Sequence, residues 1–192
     1  MDREGRDDDG RLDDGLMARI AAGDQEAMRE LVVRWERPVQ GFLYHMVGAT
    51  EDAEDLAQET FLRVFAEASR YRPESRFRAW FFRIAGNLAR SHLRRRKIVR
   101  WVRFEPLWHD RAGAERGADD ELAVAEQREA VRRAIAELPW RQRQAVVLKR
   151  FDDLSYREIA VALDTTVPGV ESLLQRATAA MRRKLAREGG RS

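Results

Sequence analysis

Apolar residues in this chain recur three and four positions apart from one end to the other, and nowhere do they alternate as a half-buried strand requires. The spacing predicts an all-α protein. Phe77, Phe81, Ile84 and Leu88 fall on one face of a helix, broadened by Phe82, Ala85, Ala89 and Leu93. Upstream, Asp24 is placed to cap a helix running to about Met46, with Ala27, Leu31, Val32, Trp35 and Val39 inward. A second spans about Glu51 to Ala68 with the stripe Leu56, Phe61, Val64 and Phe65, and Pro73 separates it from the helix of Phe77. Further helices are predicted over about 121–137, 140–150, 155–163 and 167–186.

The 192 residues suit two small helical domains. Residues 1–15 hold seven acids against three arginines and predict a disordered acidic tail. Residues 16–103 form the first domain. Residues 104–120, with Pro106, Gly113 and Gly117, predict a flexible acidic linker, and 121–192 form the second domain.

Charge decides what such domains meet. The net value is only +3, yet residues 76–103 carry ten bases and no acid, while 104–130 return to −5. A near-neutral total therefore hides basic surfaces separated by an acidic strip. Arginine outnumbers lysine 33 to 3, and guanidinium is the better phosphate fork and stacking cation. Cysteine is absent, which excludes disulfides and thiolate metal sites. No apolar run approaches the ~20 residues of a membrane span, and MDREGRDDDG is not a signal peptide. These features predict a soluble, cytoplasmic protein without membrane insertion.

The basic stretch has a second face. Trp80 steps by threes and fours onto Arg83, Asn87, Arg90 and Arg94, placing an indole at one end of a guanidinium row. Unstacked bases need a π surface and their phosphates need charge, so this pattern suits single-stranded nucleic acid. The plainer reading is a half-buried tryptophan under arginine stems. Within DAEDLAQETF, residues 52–61, Asp52, Asp55 and Glu59 line one helix face. His45, His92 and His109 are not spaced to complete a metal or acid–base site there, so the acids read as a docking face or as charge near a helix N-terminus.

Residues 154–177, LSYREIAVALDTTVPGVESLLQRA, fit a helix-turn-helix. Ser155 and Glu158 form a capping box, Asp164 suits the left-handed turn, Thr166 caps the next helix and Pro168 suits its first turn. Val170, Leu174, Ala177 and Met181 face inward. Ser172, Gln175 and Arg176 then face a major groove, with Arg182, Arg183, Lys184 and Arg187 for phosphates.

The order of DAEDLAQETF, FRAWFFRIAGNLARSHLRRRK, an acidic linker, ELPWRQRQAVVLKRF and the helix-turn-helix resembles the extracytoplasmic-function sigma factors of bacterial RNA polymerase, over about residues 16–187. The resemblance implies a promoter-specificity subunit with sigma domains two and four, no catalytic residue and no cofactor or metal. It implies that Asp55, Gln58 and Glu59 dock the clamp helices of the polymerase β′ subunit. Around the −10 element it implies Tyr71, Arg76, Phe77, Trp80, Arg83, Asn87, Arg90, Arg94 and Arg95, holding a flipped base. At the −35 element, beside the polymerase β flap, it implies Thr166, Pro168, Glu171, Ser172, Gln175, Arg176, Arg182 and Arg183. An anti-sigma factor is the further partner implied.

The chain departs from the family pattern at Ser91, where an acid is common, and at Glu171 and Leu173, where bases are common. Leu173 lies roughly 60–80° from the inner stripe and reads as a half-buried flank. Glu171 suits a cytosine amino group or simply weakens phosphate affinity. Other readings of the residues remain. A stand-alone helix-turn-helix regulator leaves the Trp80–Arg94 stripe unexplained. A metal-dependent nuclease using Asp52, Asp55 and Glu59 lacks partner ligands, and a membrane-surface protein lacks an apolar face to insert.

Overall fold

The computed structural model describes residues 3–74, 76–103 and 119–189, and among them every regular element is helical. Its first element departs from expectation. α1 (Arg3–Ala21) is a helix where charge balance predicts a disordered tail over residues 1–15. Two of the acids have partners far along the chain, which a balance of charges does not register. Asp13 is fully buried and accepts from the Trp35 indole Nε1 and the Arg34 Nε, each at 3.1 Å. Leu16, Met17 and Ile20 bury the same helix against the domain.

α2 (Gln25–Val47) starts as predicted, with the Asp24 carboxylate accepting from the Glu26 and Ala27 amides. It ends at Gly48, whose φ of 82° supplies the left-handed cap that glycine adopts without strain. α3 (Thr50–Glu67) runs into a 3-10 turn (Ala68–Arg70), and after a loop α4 (Phe77–Arg103) returns across α2 and α3. The aromatic residues hold these helices together. The Trp35 ring lies 5.5 Å from Phe77 and 5.3 Å from Phe81, Phe61 reaches Phe81 at 5.6 Å, and Phe42 reaches Phe82 at 5.0 Å. Tilted rings at such separations add to burial energy.

α5 (Asp119–Ala136), α6 (Trp140–Arg150), α7 (Tyr156–Ala162) and α8 (Val167–Gly189) build the second unit around Leu148, Leu154, Ile159, Val170 and Ala177. Of the predicted linker, residues 104–118 lie outside the described residues, and Asp119 and Asp120 already belong to α5.

The two units touch. Arg143 Nη1 donates to the Met46 carbonyl at 2.8 Å, Arg132 donates to the Tyr44 hydroxyl at 3.2 Å, and His45 packs on Phe151 with ring centroids 4.0 Å apart. Arg78 of α4 donates to the Asp152 carbonyl, and a Cβ on Gly86 would overlap the Gln144 amide. Burial at this seam pushes the Asp152 carboxyl up to about 7, with the Arg78 charge opposing. An acid raised in the folded state binds its proton more tightly there than when unfolded. Its contribution is therefore present below the ordinary value of about 4 and is lost as pH rises through 7. His45, pushed down by burial and by Arg132, acts in the opposite sense, losing stability as pH falls through its ordinary value. Asp152→Asn removes only the first effect. The variant's melting temperature should exceed the wild type's by a margin that widens from pH 5 to pH 7 and then levels. A constant margin across that range would show that Asp152 does not titrate at the seam.

Candidate nucleic-acid interface

The outward face of α4 carries Arg83, Asn87, Arg90, Arg94 and Arg95, all exposed. Trp80 begins that face, half-buried, with its ring 4.8 Å from Tyr71 and 5.9 Å from Phe77. The structure thus brings Tyr71 and Trp80 together at the head of the guanidinium row, although the loop separates them in sequence. Arg76, also exposed, pairs with Glu74 at 3.2 Å. Phe77 is a correction. It is fully buried among Trp35 and Phe81, so its ring supports Trp80 from within the core and offers no face to a base.

Arg83, Asn87 and Arg90 line one wall of a cleft of about 600 Å³ whose opposite wall, from the second unit, includes Trp140, Arg141 and Gln144. Sequence spacing within α4 gives no sign of that wall. Trp140 opens α6 directly after Pro139, and that junction is its only local signal.

The carboxylate helix divides its acids. Asp52 turns toward α4, lying 3.4 Å from His92 Nε2 and pairing with Arg96. Asp55 and Gln58 are exposed, and Glu59 is half-exposed with Arg63 at 3.8 Å. Leu62 and Phe65 continue that outer stripe at 70% and 56% exposure. Phe65 therefore lies outside the core stripe predicted for it. Residues 62 and 65 follow 58 at helical spacing, so the outer face joins acids to two large apolar side chains.

In the second unit, Ser155 and Glu158 form the predicted capping box, and Asp164 adopts the left-handed conformation with φ 49°. Thr166 Oγ1 accepts from the Gly169 amide at 3.2 Å. These caps set α8 across α7 and leave Thr166, Pro168, Glu171, Ser172, Gln175, Arg176, Arg182 and Arg183 exposed. Arg176 Nε donates to the Ser172 carbonyl at 3.2 Å, which lays its guanidinium along the helix. Lys184 is engaged with Glu137, against its predicted phosphate role, and Leu173 packs partly against the core as its angle predicts.

Among the described residues no cluster of His, Asp or Glu is arranged to hold a metal ion, and no helix is long and apolar enough to cross a membrane.

Two family models match the chain segment by segment. Sigma-70 region 2 covers residues 31–98, the α2–α4 unit, and Sigma-70 region 4 covers residues 128–181, the helix-turn-helix unit. The chain is 33% identical over 180 residues to the ECF RNA polymerase sigma-E factor of Escherichia coli strain K12, covering 90% of this chain and 94% of that protein. It is 30% identical over 180 residues to the RNA polymerase sigma-H factor of Pseudomonas aeruginosa, covering 90% and 93%. In solved structures, CnrH in complex with the cytosolic domain of CnrY superposes with a TM-score of 0.68 at 26% identity, covering 91% of this chain and 97% of that one. The sigma factor RpoE of Bartonella quintana, in complex with the anti-sigma factor NepR, shares the fold with a TM-score of 0.67 at 21% identity, covering 82% and 96%. With both regions matched in order and full-length relatives at this identity, the chain belongs to the extracytoplasmic-function sigma factors, the RNA polymerase subunits of transcription initiation.

Proposed function

We propose that this sigma factor docks on core polymerase through the outer face of α3, opens the −10 element on the Trp80 face of α4, and reads the −35 element with α8. The observation that carries the reading is the α4 face itself. A half-buried indole walled by Tyr71 is continued by Arg83, Asn87, Arg90 and Arg94, all exposed. A flipped base would stack at the indole while its flanking phosphates meet the guanidinium groups. Glu171, Ser172, Gln175 and Arg176 present mixed acceptors and donors to a major groove, with Arg182 and Arg183 beside the backbone. The chemistry of synthesis belongs to the polymerase, so the chain needs no catalytic residue or cofactor, and its place of work is the cytoplasm. Of the solved structures described above, CnrH is bound to the cytosolic domain of CnrY and RpoE to the anti-sigma factor NepR, and an anti-sigma factor is the restraint we assign to this chain as well.

Run-off transcription from genomic fragments, with core polymerase alone and with this protein added, tests the reading. Transcripts that depend on the protein are expected, and their start sites give its promoters. Tight duplex binding by the free protein with no added transcripts would instead mark a stand-alone regulator.

Docking makes its own demand. Asp55→Ala with Glu59→Ala should weaken core binding about tenfold, the size of a modest interface pair, while leaving the helix content unchanged. Leu62→Ser should weaken it as well, because apolar anchors beside charge carry much of such an interface. Wild-type affinity for both variants in a polymerase titration would move the docking surface away from α3.

A further inference from the structure

The first helix has a part in this machinery that its charge pattern conceals. The Tyr71 hydroxyl donates to Asp14 Oδ1 at 2.6 Å, joining residues 57 apart in sequence. Tyr71 closes the 3-10 turn with extended backbone, and its amide is held by the Glu67 and Ala68 carbonyls. Beyond it the chain leaves the domain. Arg72, Pro73, Glu74 and Arg76 are all exposed, and among the described residues Phe77 is the next buried side chain. Tyr71 is thus the last fixed point before the loop, and its ring is the outer wall of Trp80.

We propose that Asp14 is a positioning residue for promoter opening: it holds Tyr71, and through Tyr71 the Trp80 ring, in the orientation that receives an unstacked base. α1 is built to supply that carboxylate. Neighbouring positions on a helix point about 100° apart, so adjacent acids serve different partners. Asp13 secures the helix to Trp35 and Arg34 of α2, and Asp14 reaches the loop. Burial and the Asp14 carboxylate both push the Tyr71 hydroxyl far up, so it remains a proton donor throughout the working pH range. A charged acceptor makes the stronger kind of hydrogen bond. A site held by such supporting contacts does not have to be ordered when its ligand arrives.

This inference rests on the proposed role of Tyr71 and Trp80 at the −10 element, and its test separates the two. Holoenzyme would be assembled on a promoter mapped by run-off transcription, with 2-aminopurine in the −10 element reporting opening and a mobility shift in the cold reporting closed-complex binding. Asp14→Ala and Tyr71→Phe should each slow opening about tenfold without weakening the closed complex, the pattern of a lost preorganising contact. The double variant should be no slower than either single one, and Asp14→Asn, which keeps an acceptor oxygen, should recover most of the rate. Slow opening in Trp80→Ala with wild-type rates in Asp14→Ala and Tyr71→Phe would overturn the positioning role alone. Wild-type opening in Trp80→Ala would overturn the site assignment beneath it. Additive losses in the double variant would likewise overturn the positioning role, since Asp14 would then act elsewhere. Should Asp14→Ala fold poorly, Tyr71→Phe, which deletes a single oxygen, carries the comparison.

Discussion

Asp13→Ala is expected to destabilise the protein by about 3 kcal/mol, the scale for removing one partner of a buried charged hydrogen bond. Asp13 is fully enclosed, and its carboxylate meets an indole N–H and a guanidinium at once. Truncation leaves the Trp35 Nε1 without its acceptor inside the aromatic core, where Trp35 is only 7% exposed. Arg34 softens the loss, because its side chain is 29% exposed and regains water. Asp13→Asn should cost less, since an amide oxygen still accepts from the indole. Urea unfolding checks both, with a lower midpoint and an unchanged slope expected for alanine. An unchanged midpoint would mean that α1 does not pack on α2 in solution and that the acidic segment behaves as the tail its composition suggests.

Trp80→Ala should slow promoter opening by roughly 5- to 150-fold, from the ~1–3 kcal/mol that stacking on one base contributes. Closed-complex formation should change little, because duplex contacts on α8 and phosphate contacts along α4 survive the substitution. The ring also packs on Phe77 and Tyr71, so some loss of stability accompanies it. Trp80→Phe separates the two roles: a smaller π surface retains part of the opening rate and most of the packing. Equal losses at binding and opening would assign Trp80 to packing alone.

Much of the fold is legible in the sequence because its chemistry is local. The Asp24 cap, the Ser155–Glu158 box, the Asp164 turn and the Thr166 cap are interactions within five residues, and the structure shows each of them. The periodic stripes likewise locate α2 through α8 to within a few residues at most of their ends. Spacing also sorts Phe77 inward and Trp80 outward, one turn apart, and the enclosure of Phe77 by Trp35 overturns only the base-binding role that the resemblance extends to it. What spacing does not reach is the choice among equals. Phe61 and Phe65 share one predicted stripe on α3, where Phe81 covers one and solvent meets the other. The acids of α1 mislead for a different reason. Their partners lie 22 and 57 residues away, and composition counts charge without seeing what neutralises it. Trp140 and Arg141 are invisible as a wall because they belong to the other unit.

The seam between the units also sets a thermodynamic threshold. Arg83, Asn87 and Arg90 are exposed, but they share a cleft with Trp140, Arg141 and Gln144 of the second unit, which crowds the approach of a long strand of DNA. Any partner that needs them bare must first separate Arg143 from Met46, His45 from Phe151 and Gln144 from Gly86. Its apparent affinity is then its intrinsic affinity multiplied by the fraction of molecules already parted. Binding strength at the DNA face is therefore adjustable from residues that never touch DNA, and a change that loosens the seam acts as a gain setting on every partner of the open form alike.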